Sequence, residues 1–558
     1  MLYSILSQFF PLQTMKDAFQ TLSSYHQRTK HHPRKFANSL GFLDWDNQPN
    51  PFRSYLDSEV VELKFLRKKC GLHYEQMLRR EDIPLQPFHL ESISQFLELS
   101  LALSAWKSVQ NTSWSLRINP SSGNLHPTEA HLFLPGKTLG SDQALLAHYN
   151  PLKHCLEIRK RFTQPPESFG SFSSENGILV CLTSIYWRES WKYGERAFRY
   201  CNHDLGHALA CLSLSASLLG WKVQLLSEYT HSQMEELFRF NQVDWIEGEK
   251  EEPEVLLSIT PLGKEHQFNT IDRRLMAAVS KDQQRERVNR LSNEYYPWEI
   301  IEEVSLATQK TQFEKSKPTP VNQPFGFSFK QQSAQKILFQ RRSAVSYDGT
   351  TYMEKKIFFS ILDRTLPRSD YPPFDLNLGP TRTHLLLFVH RVHELEPGLY
   401  FFLRNPEDLD QVRELSHQEL EWSLVPNDTN LPLYRLLPAN LKMEAAMISC
   451  QQDIAGMSCF SLGMITRFRA ELESSPWIYR HLFWETGMVG QILYLEAESH
   501  GFRGTGIGCF FDDLVHQVLG LNDDHYQSLY HFTIGGPVED TRLTTLDAYH
   551  HLNQTLSK

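Results

Sequence analysis

Short apolar runs bounded by turn residues alternate along this chain with polar stretches rich in proline and glycine. Ala130–Leu134 and Ile178–Leu182 have the length and bounding residues of strands buried on both faces. Asn202–Leu219 is apolar over several helical turns and stops at Gly220, which predicts one long buried helix. From about Leu306 to Gln332 the pattern lapses into a polar stretch with three prolines, where a domain boundary is expected. Beyond it the same elements return in the same order.

The recurrence extends to residue identities. Asn124–Leu134 lies over Asn377–Leu387 with seven of eleven positions identical, and Pro120 falls on Pro373 in the same register. Phe198–Gly220 lies without a gap over Tyr479–Gly501, placing Arg199 on Arg480, Asp204 on Glu485, Gly206 on Gly487 and Gly220 on Gly501. The two registers differ by a length that the polar stretch Asn405–Pro432 absorbs as a longer connection. Two blocks in conserved order predict two similar α+β domains in one chain, each a sheet of antiparallel type flanked by helices, packed as a covalent pseudo-dimer. The expected boundaries are an N-terminal arm over 1–60, a first domain over 61–270, a helical and proline-containing linker over 271–332, and a second domain over 333–558.

Composition narrows the partners. With 558 residues, 41% of them hydrophobic and 22% charged, the chain is too long for one core and too apolar to stay unfolded. A net charge of −9 gives no bulk attraction to nucleic acid or anionic membrane, so a small molecule is the expected partner. The eight cysteines are scattered with no CxxC pair, which reads as reduced thiols in the cytoplasm. The apolar start Met1–Met15 lacks a basic segment and a cleavage site, and no run is long enough to span a bilayer, so a soluble chain is expected.

Candidate chemistry gathers in a few segments. The loop Pro120, Ser121, Ser122, Gly123, Asn124 offers hydroxyl, amide and backbone N–H groups to an oxygen-rich ligand; the same residues equally suit a turn that satisfies its own backbone. His203, Asp204 and His207 invite comparison with a zinc-protease helix, but Asp is shorter than the Glu such a site uses, and the second copy carries Trp484 and Met488 in place of the histidines. No metal is expected there, and the basic run Arg28–Lys35 reads as a solvated arm. Gly504, Gly506 and Gly508 have the wrong spacing for a dinucleotide fingerprint.

The ordered motifs PSSGNLHPTE, KYGERAFRY and DLGH, with FQRRSAVSYDG and FRGTGIGCFFDD in the C-terminal half, resemble the nitroreductase superfamily, and within it the SagB/ThcOx-type azoline dehydrogenases. That resemblance implies FMN at the junction of the two halves. Arg341, Arg342 and Ser343 would hold its phosphate and ribityl chain, Gly506, Ile507 and Gly508 would bring backbone to the ring, Arg542 would close on the phosphate, and Pro120, Ser121, Ser122 and Asn124 would come from the other half. It also implies Lys192 as general base with Tyr193 assisting, Arg196 and Arg199 being cationic neighbours that help the lysine lose its proton. Without the resemblance, Lys192 reads as a solvated residue at a helix entry. The symmetry-related site is expected to be eroded: Phe374 and Asp375 replace two hydroxyls, no GTGIG follows Gly220, and Tyr25–Lys30 is a candidate remnant of the arginine opening. One FMN per chain follows. The substrate would be a heterocyclised peptide or a small molecule, in a cytoplasmic enzyme; the alternatives are an NAD(P)H-dependent nitro or quinone reductase and a catalytically inactive flavin-binding or interaction protein.

Overall fold

The computed structural model describes residues 15–66, 71–140, 142–162, 177–264, 273–280, 284–311, 325–328 and 332–555. The N-terminal half runs through α1 (Met15–Arg28), β1 (Glu59–Glu62), α2 (Tyr74–Arg79), the hairpin β2 (Leu103–Val109) and β3 (Thr112–Arg117), then β4 (Thr128–Leu134), β5 (Ala144–Asn150), β6 (Cys155–Phe162), β7 (Ile178–Ser184), α3 (Tyr186–Tyr193), α4 (Ala197–Ser217), β8 (Trp221–Leu225) and β9 (Glu252–Pro261). The C-terminal half runs through α5 (Ala334–Gln340), β10 (Thr383–Val389), β11 (Gly398–Phe402), β12 (Ser423–Leu424), β13 (Leu433–Pro438), β14 (Phe460–Arg467), α6 (Ile478–Ser499), β15 (Arg503–Ile507), α7 (Asp512–Leu519), β16 (Tyr526–Gly535) and β17 (Thr544–Leu546).

Each half builds a seven-stranded sheet; six strands share one topology, and only the edge strand differs in its place in the chain, β1 preceding the rest of its sheet and β12 falling between β11 and β13. The order β1-β6-β5-β4-β7-β9-β8 in the first matches β12-β13-β11-β10-β14-β16-β15 in the second, with every pairing antiparallel. The repeated strands β4 and β10 each hold the middle position and are buried along their whole length, which explains why apolar residues fill consecutive positions, as in Leu132–Leu134 and Leu385–Val389, instead of alternating. Of the expected connection, Glu286–Val288 pairs with Tyr55–Leu56 and Glu299–Ala307 is a helix, while 312–324 lie outside the described residues.

The long helices α4 and α6 cross at the centre. Every residue of α4 is buried, Arg199, Asp204 and His207 included, so this helix has no solvent stripe. Gly206 and Gly487 meet at the crossing: a Cβ on Gly206 would stand 2.4 Å from the Trp484 oxygen, and one on Gly487 would stand 2.4 Å from the His203 oxygen. Because His203 and Trp484 are themselves paired by the repeat, the contact is reciprocal, the mark of a two-fold relation. A second reciprocal contact lies at the entries of α2 and α5, where the Tyr74 amide donates to the Gln332 oxygen (2.7 Å) and the Ala334 amide to the Leu72 oxygen (3.1 Å).

The halves also exchange arms. His26 of α1 reaches Tyr479 Oη (3.1 Å) and Gln527 Oε1 (3.2 Å) on the C-terminal half. In return β17 adds to the β2–β3 hairpin, the Tyr549 hydroxyl donates to the Pro151 oxygen (3.0 Å), and the Trp106 indole donates to the Ala548 oxygen (2.9 Å).

Candidate functional site

The segment after β3 turns sharply. Gly123, Asn124 and His126 all have positive φ (58°, 62° and 55°), a conformation held by local hydrogen bonds. The His126 amide donates to Ser121 Oγ (2.8 Å) and the Asn124 side chain to the Ser115 oxygen (2.9 Å). Asp204 of α4 anchors the loop from below, accepting from the Ser122 amide (2.9 and 3.1 Å) and hydroxyl (2.9 Å). Gly123 lies directly beneath Tyr193 and Lys192: a Cβ there would be 2.6 Å from the Tyr193 hydroxyl and 3.2 Å from Lys192 Nζ. The lysine–tyrosine pair and the loop therefore form one unit.

The C-terminal half approaches this unit from the other side. Helix α5 begins at a Ser333 cap and ends at Arg341, whose guanidinium donates to the Arg117 oxygen (3.3 Å) across the junction of the halves. Arg342 donates only to backbone oxygens, those of Phe339 (2.8 Å), Arg341 (2.6 Å) and Ser104 (3.4 Å). The Tyr494 hydroxyl of α6 ties Ser343 Oγ (2.9 Å) to the Gly506 amide (2.8 Å), so the arginine opening and the glycine strand β15 are held by one side chain. Gly506 admits no side chain, since a Cβ would fall 1.9 Å from the Tyr530 hydroxyl.

Between them lies a cavity of about 310 Å³ lined by both halves. Of the residues expected from sequence, Pro120, Ser121, Asn124, Arg341, Arg342 and Ser343 form its wall. Ser122 turns away to Asp204, Ile507 packs into the core, and Gly506, Gly508, Lys192 and Tyr193 stand behind the first layer. Arg542 is exposed and paired with Asp540 (2.7 Å), and its place in the wall is taken by Leu543, Asp540 and Glu539. The wall also holds Lys107, Arg117, Asn119, His126 and Arg503, which sequence reasoning did not single out. For Arg117 and Arg503 a signal existed, because each directly flanks a motif that was read.

The electrostatics are unbalanced. Among the described residues Lys107, Arg117, Arg341 and Arg342 make no ion pair, and Arg503 alone is matched, by Glu539 (2.6 Å). Arg117 Nε and Arg341 Nε are buried without an acceptor, and Asn119 Oδ1 without a donor. Burial, with Arg341 beside it, brings Arg342 down to about 10, and burial brings Arg117 to the same value. Cations removed from water and crowded by cations constitute a site for an anion. Below the loop the reverse holds: burial raises Asp204 to about 7, and burial with Asp204 raises Glu189 well above the ordinary carboxyl range.

Three expectations need correction. Arg196 and Arg199 do not serve Lys192; both are bound to Asp512 (3.0 and 2.8 Å), which offsets their charge. Asp204 is more than a helix position, since it fixes the loop. Tyr25–Lys30 is no remnant of the arginine opening, because it spans the end of α1 and the turn after it and packs on the opposite half. The reciprocal contact of Tyr74 and Ala334 makes α2 the counterpart of α5, and Arg79 and Arg80 stand at its end.

That counterpart leads to the symmetry-related position. There Asp375, the match of Ser122, accepts from Arg80 (2.5 Å) and lies 3.9 Å from Lys222 Nζ, the match of Arg503. The chain supplies its own carboxylate to the cations that remain.

Residues 338–536 match the Nitroreductase family model. No curated protein matches the sequence. Among solved structures the chain is similar to a protein described as a nitroreductase from Anabaena variabilis, at 20% identity and a TM-score of 0.64, covering 93% of this chain and 99% of that one. Smaller likenesses are to a protein described as a nitroreductase from Ralstonia eutropha (16% identity, TM-score 0.27, 41% of this chain and 98% of that one) and to the E. coli microcin synthetase McbBCD complex (18%, 0.26, 45% and 96%). The chain thus has a nitroreductase-like fold over nearly its whole length.

Proposed function

We propose that this chain is an FMN-dependent oxidoreductase with one flavin per chain, held in the cavity between the halves, and that it works as a SagB-type dehydrogenase in the cytosol. The observation that carries the reading is the convergence on one cavity of Arg341, Arg342 and Ser343 from one half with Pro120, Ser121 and Asn124 from the other, with Arg341 and Arg342 forming no ion pair among the described residues. The match of 338–536 to the Nitroreductase family supports it. The unpartnered Arg117 Nε and Arg341 Nε each leave an N–H that fits a phosphate oxygen, and the unpartnered Asn119 oxygen fits a ring N–H. Arg342, Arg503 and Lys107 complete the anion-holding wall, Arg503 being the residue through which β15 reaches the cavity.

When bound, FMN supplies a two-electron acceptor that takes hydride at N5. The chain's residues do the remaining work. Lys192 Nζ, beside the Tyr193 ring (5.2 Å) and over Gly123, removes the proton that must leave as the substrate is oxidised. Tyr193 fixes the lysine's position, and Asp204 keeps the loop beneath both. The substrate is a small molecule or a heterocycle within a modified peptide.

The test is the visible spectrum of the purified chain with quantitation of released flavin. About one FMN per chain is expected, with Lys192→Ala keeping the flavin and losing at least about a hundredfold in turnover. A colourless chain that also fails to take up added FMN overturns the assignment; full turnover in Lys192→Ala overturns the base.

A further inference from the structure

Two cysteines distant in sequence meet beside the site. Cys450 follows the segment that ends at Ser449, and Cys509 directly follows Gly508; their Sγ atoms stand 2.7 Å apart, in contact. The meeting is built by the backbone around it. Cys450 and Gln451 both adopt positive φ (54° and 60°), which non-glycine residues seldom do. The turn is pinned from both sides, by the Gln452 side chain donating to the Cys509 oxygen (3.0 Å) and by the Phe511 amide donating to the Ile448 oxygen (2.8 Å). Both residues are half-buried, so reagents in solution reach them.

The surroundings distinguish the two sulfurs. His31, from the arm that follows α1, accepts the Ala37 amide at Nδ1 (3.0 Å), which leaves Nε2 carrying the proton and able to donate to Cys509. Arg196 donates to the Gly508 oxygen (3.2 Å), one residue away. The contact with Cys450, then His31 and Arg196, lowers the Cys509 thiol to about 5, while the same contact raises Cys450. A thiolate-forming cysteine touching a second cysteine has the parts of an exchange site: a nucleophile and a resolving thiol.

We propose that Cys450 and Cys509 are a redox-active dithiol that reacts with small-molecule disulfides such as oxidised glutathione, Cys509 attacking and Cys450 resolving. The Cys509 thiolate attacks one sulfur of the external disulfide, whose S–S bond breaks and releases one thiolate. Cys450 then gives up its proton and attacks Cys509 Sγ; the mixed bond breaks and the second thiolate leaves. One external disulfide is reduced to two thiols, two protein thiols are oxidised to one disulfide, and the cysteine protons end on the released thiols. The reaction needs no flavin. It is nonetheless felt at the site, because Gly508 packs against Tyr200, where a Cβ would fall 2.1 Å from the ring, and the Tyr200 ring lies 4.4 Å from that of Tyr193, tilted by 42°.

The full chain is treated with oxidised glutathione and mapped by mass spectrometry without reduction. A Cys450–Cys509 linked peptide that disappears with dithiothreitol is expected. Cys450→Ser holds glutathione stably on Cys509, whereas Cys509→Ser leaves Cys450 unmodified on the same timescale. His31→Gln lowers the rate of Cys509 alkylation by iodoacetamide about tenfold at neutral pH. Absence of the linked peptide overturns the site, and glutathione on Cys450 in Cys509→Ser overturns the assignment of roles. Far-UV circular dichroism of each variant separates these outcomes from misfolding.

Discussion

The two symmetry-related positions of this chain differ in who supplies the negative charge. On one side Arg341, Arg342, Arg117 and Lys107 face a cavity and form no ion pair among the described residues; on the other, Arg80 and Lys222 face Asp375, which belongs to the chain. The same scaffold thus gives a receptor for an external anion and a closed internal ion pair. The difference rests on Ser122 against Asp375: the serine is held by Asp204 and leaves the cations free, while the aspartate takes the place of a ligand. A retained site and a lost one are told apart by whether the basic residues are already satisfied.

Mutations that act on the axis, on one side or on the other sharpen this contrast. Gly487→Ala strikes both sides at once, because its Cβ meets the backbone at 2.4 Å from the His203 oxygen and neither helix can yield. Loss of about 3 kcal/mol or of soluble chain is expected in thermal melts. Asp375→Asn leaves the buried Arg80 without its partner and is expected to cost about 3 kcal/mol, with flavin content unchanged at one per chain. A second flavin in that variant would break the comparison. Arg342→Ala should weaken FMN binding about tenfold or more in a fluorescence titration, whereas Arg80→Ala should leave it unaltered.

The gentlest effect is a pH slope. Burial raises Asp204 from 3.8 to about 7, so the folded chain holds this proton more tightly than the unfolded one. Its contribution to stability is full below about pH 4 and is lost as pH rises through about 7. Asp204→Asn should flatten the melting temperature over that window relative to the parent chain. An unchanged slope would show that Asp204 is ionised throughout.

The sheets and long helices were legible because β4, β10, α4 and α6 are buried nearly throughout and so carry long, mainly apolar stretches. The loop and arginine segments were legible as motifs, and six of their residues do meet in one wall. What escaped was whatever depends on distant backbone. Asp204 anchors an amide 82 positions earlier, and nothing in its own helix announces that bond. The counterpart of the arginine opening was misplaced because the pairing of Tyr74 with Ala334 sets Glu81 and Asp82 at the positions of Arg341 and Arg342, reversing the charge that made Arg341–Ser343 recognisable. The β2–β3 hairpin was missed since its strands are half exposed and gain their third partner only from β17.

That third strand imposes an order of events. Lys107 and Trp114, both in the cavity wall, stand on the hairpin that β17 completes, and Leu103 is tied to Tyr549 by its amide (3.1 Å). A ribosome releases β17 only after every strand of the second sheet has been made. The first half therefore emerges early with one edge unfinished, and must wait through the making of the whole second half before its binding wall can close.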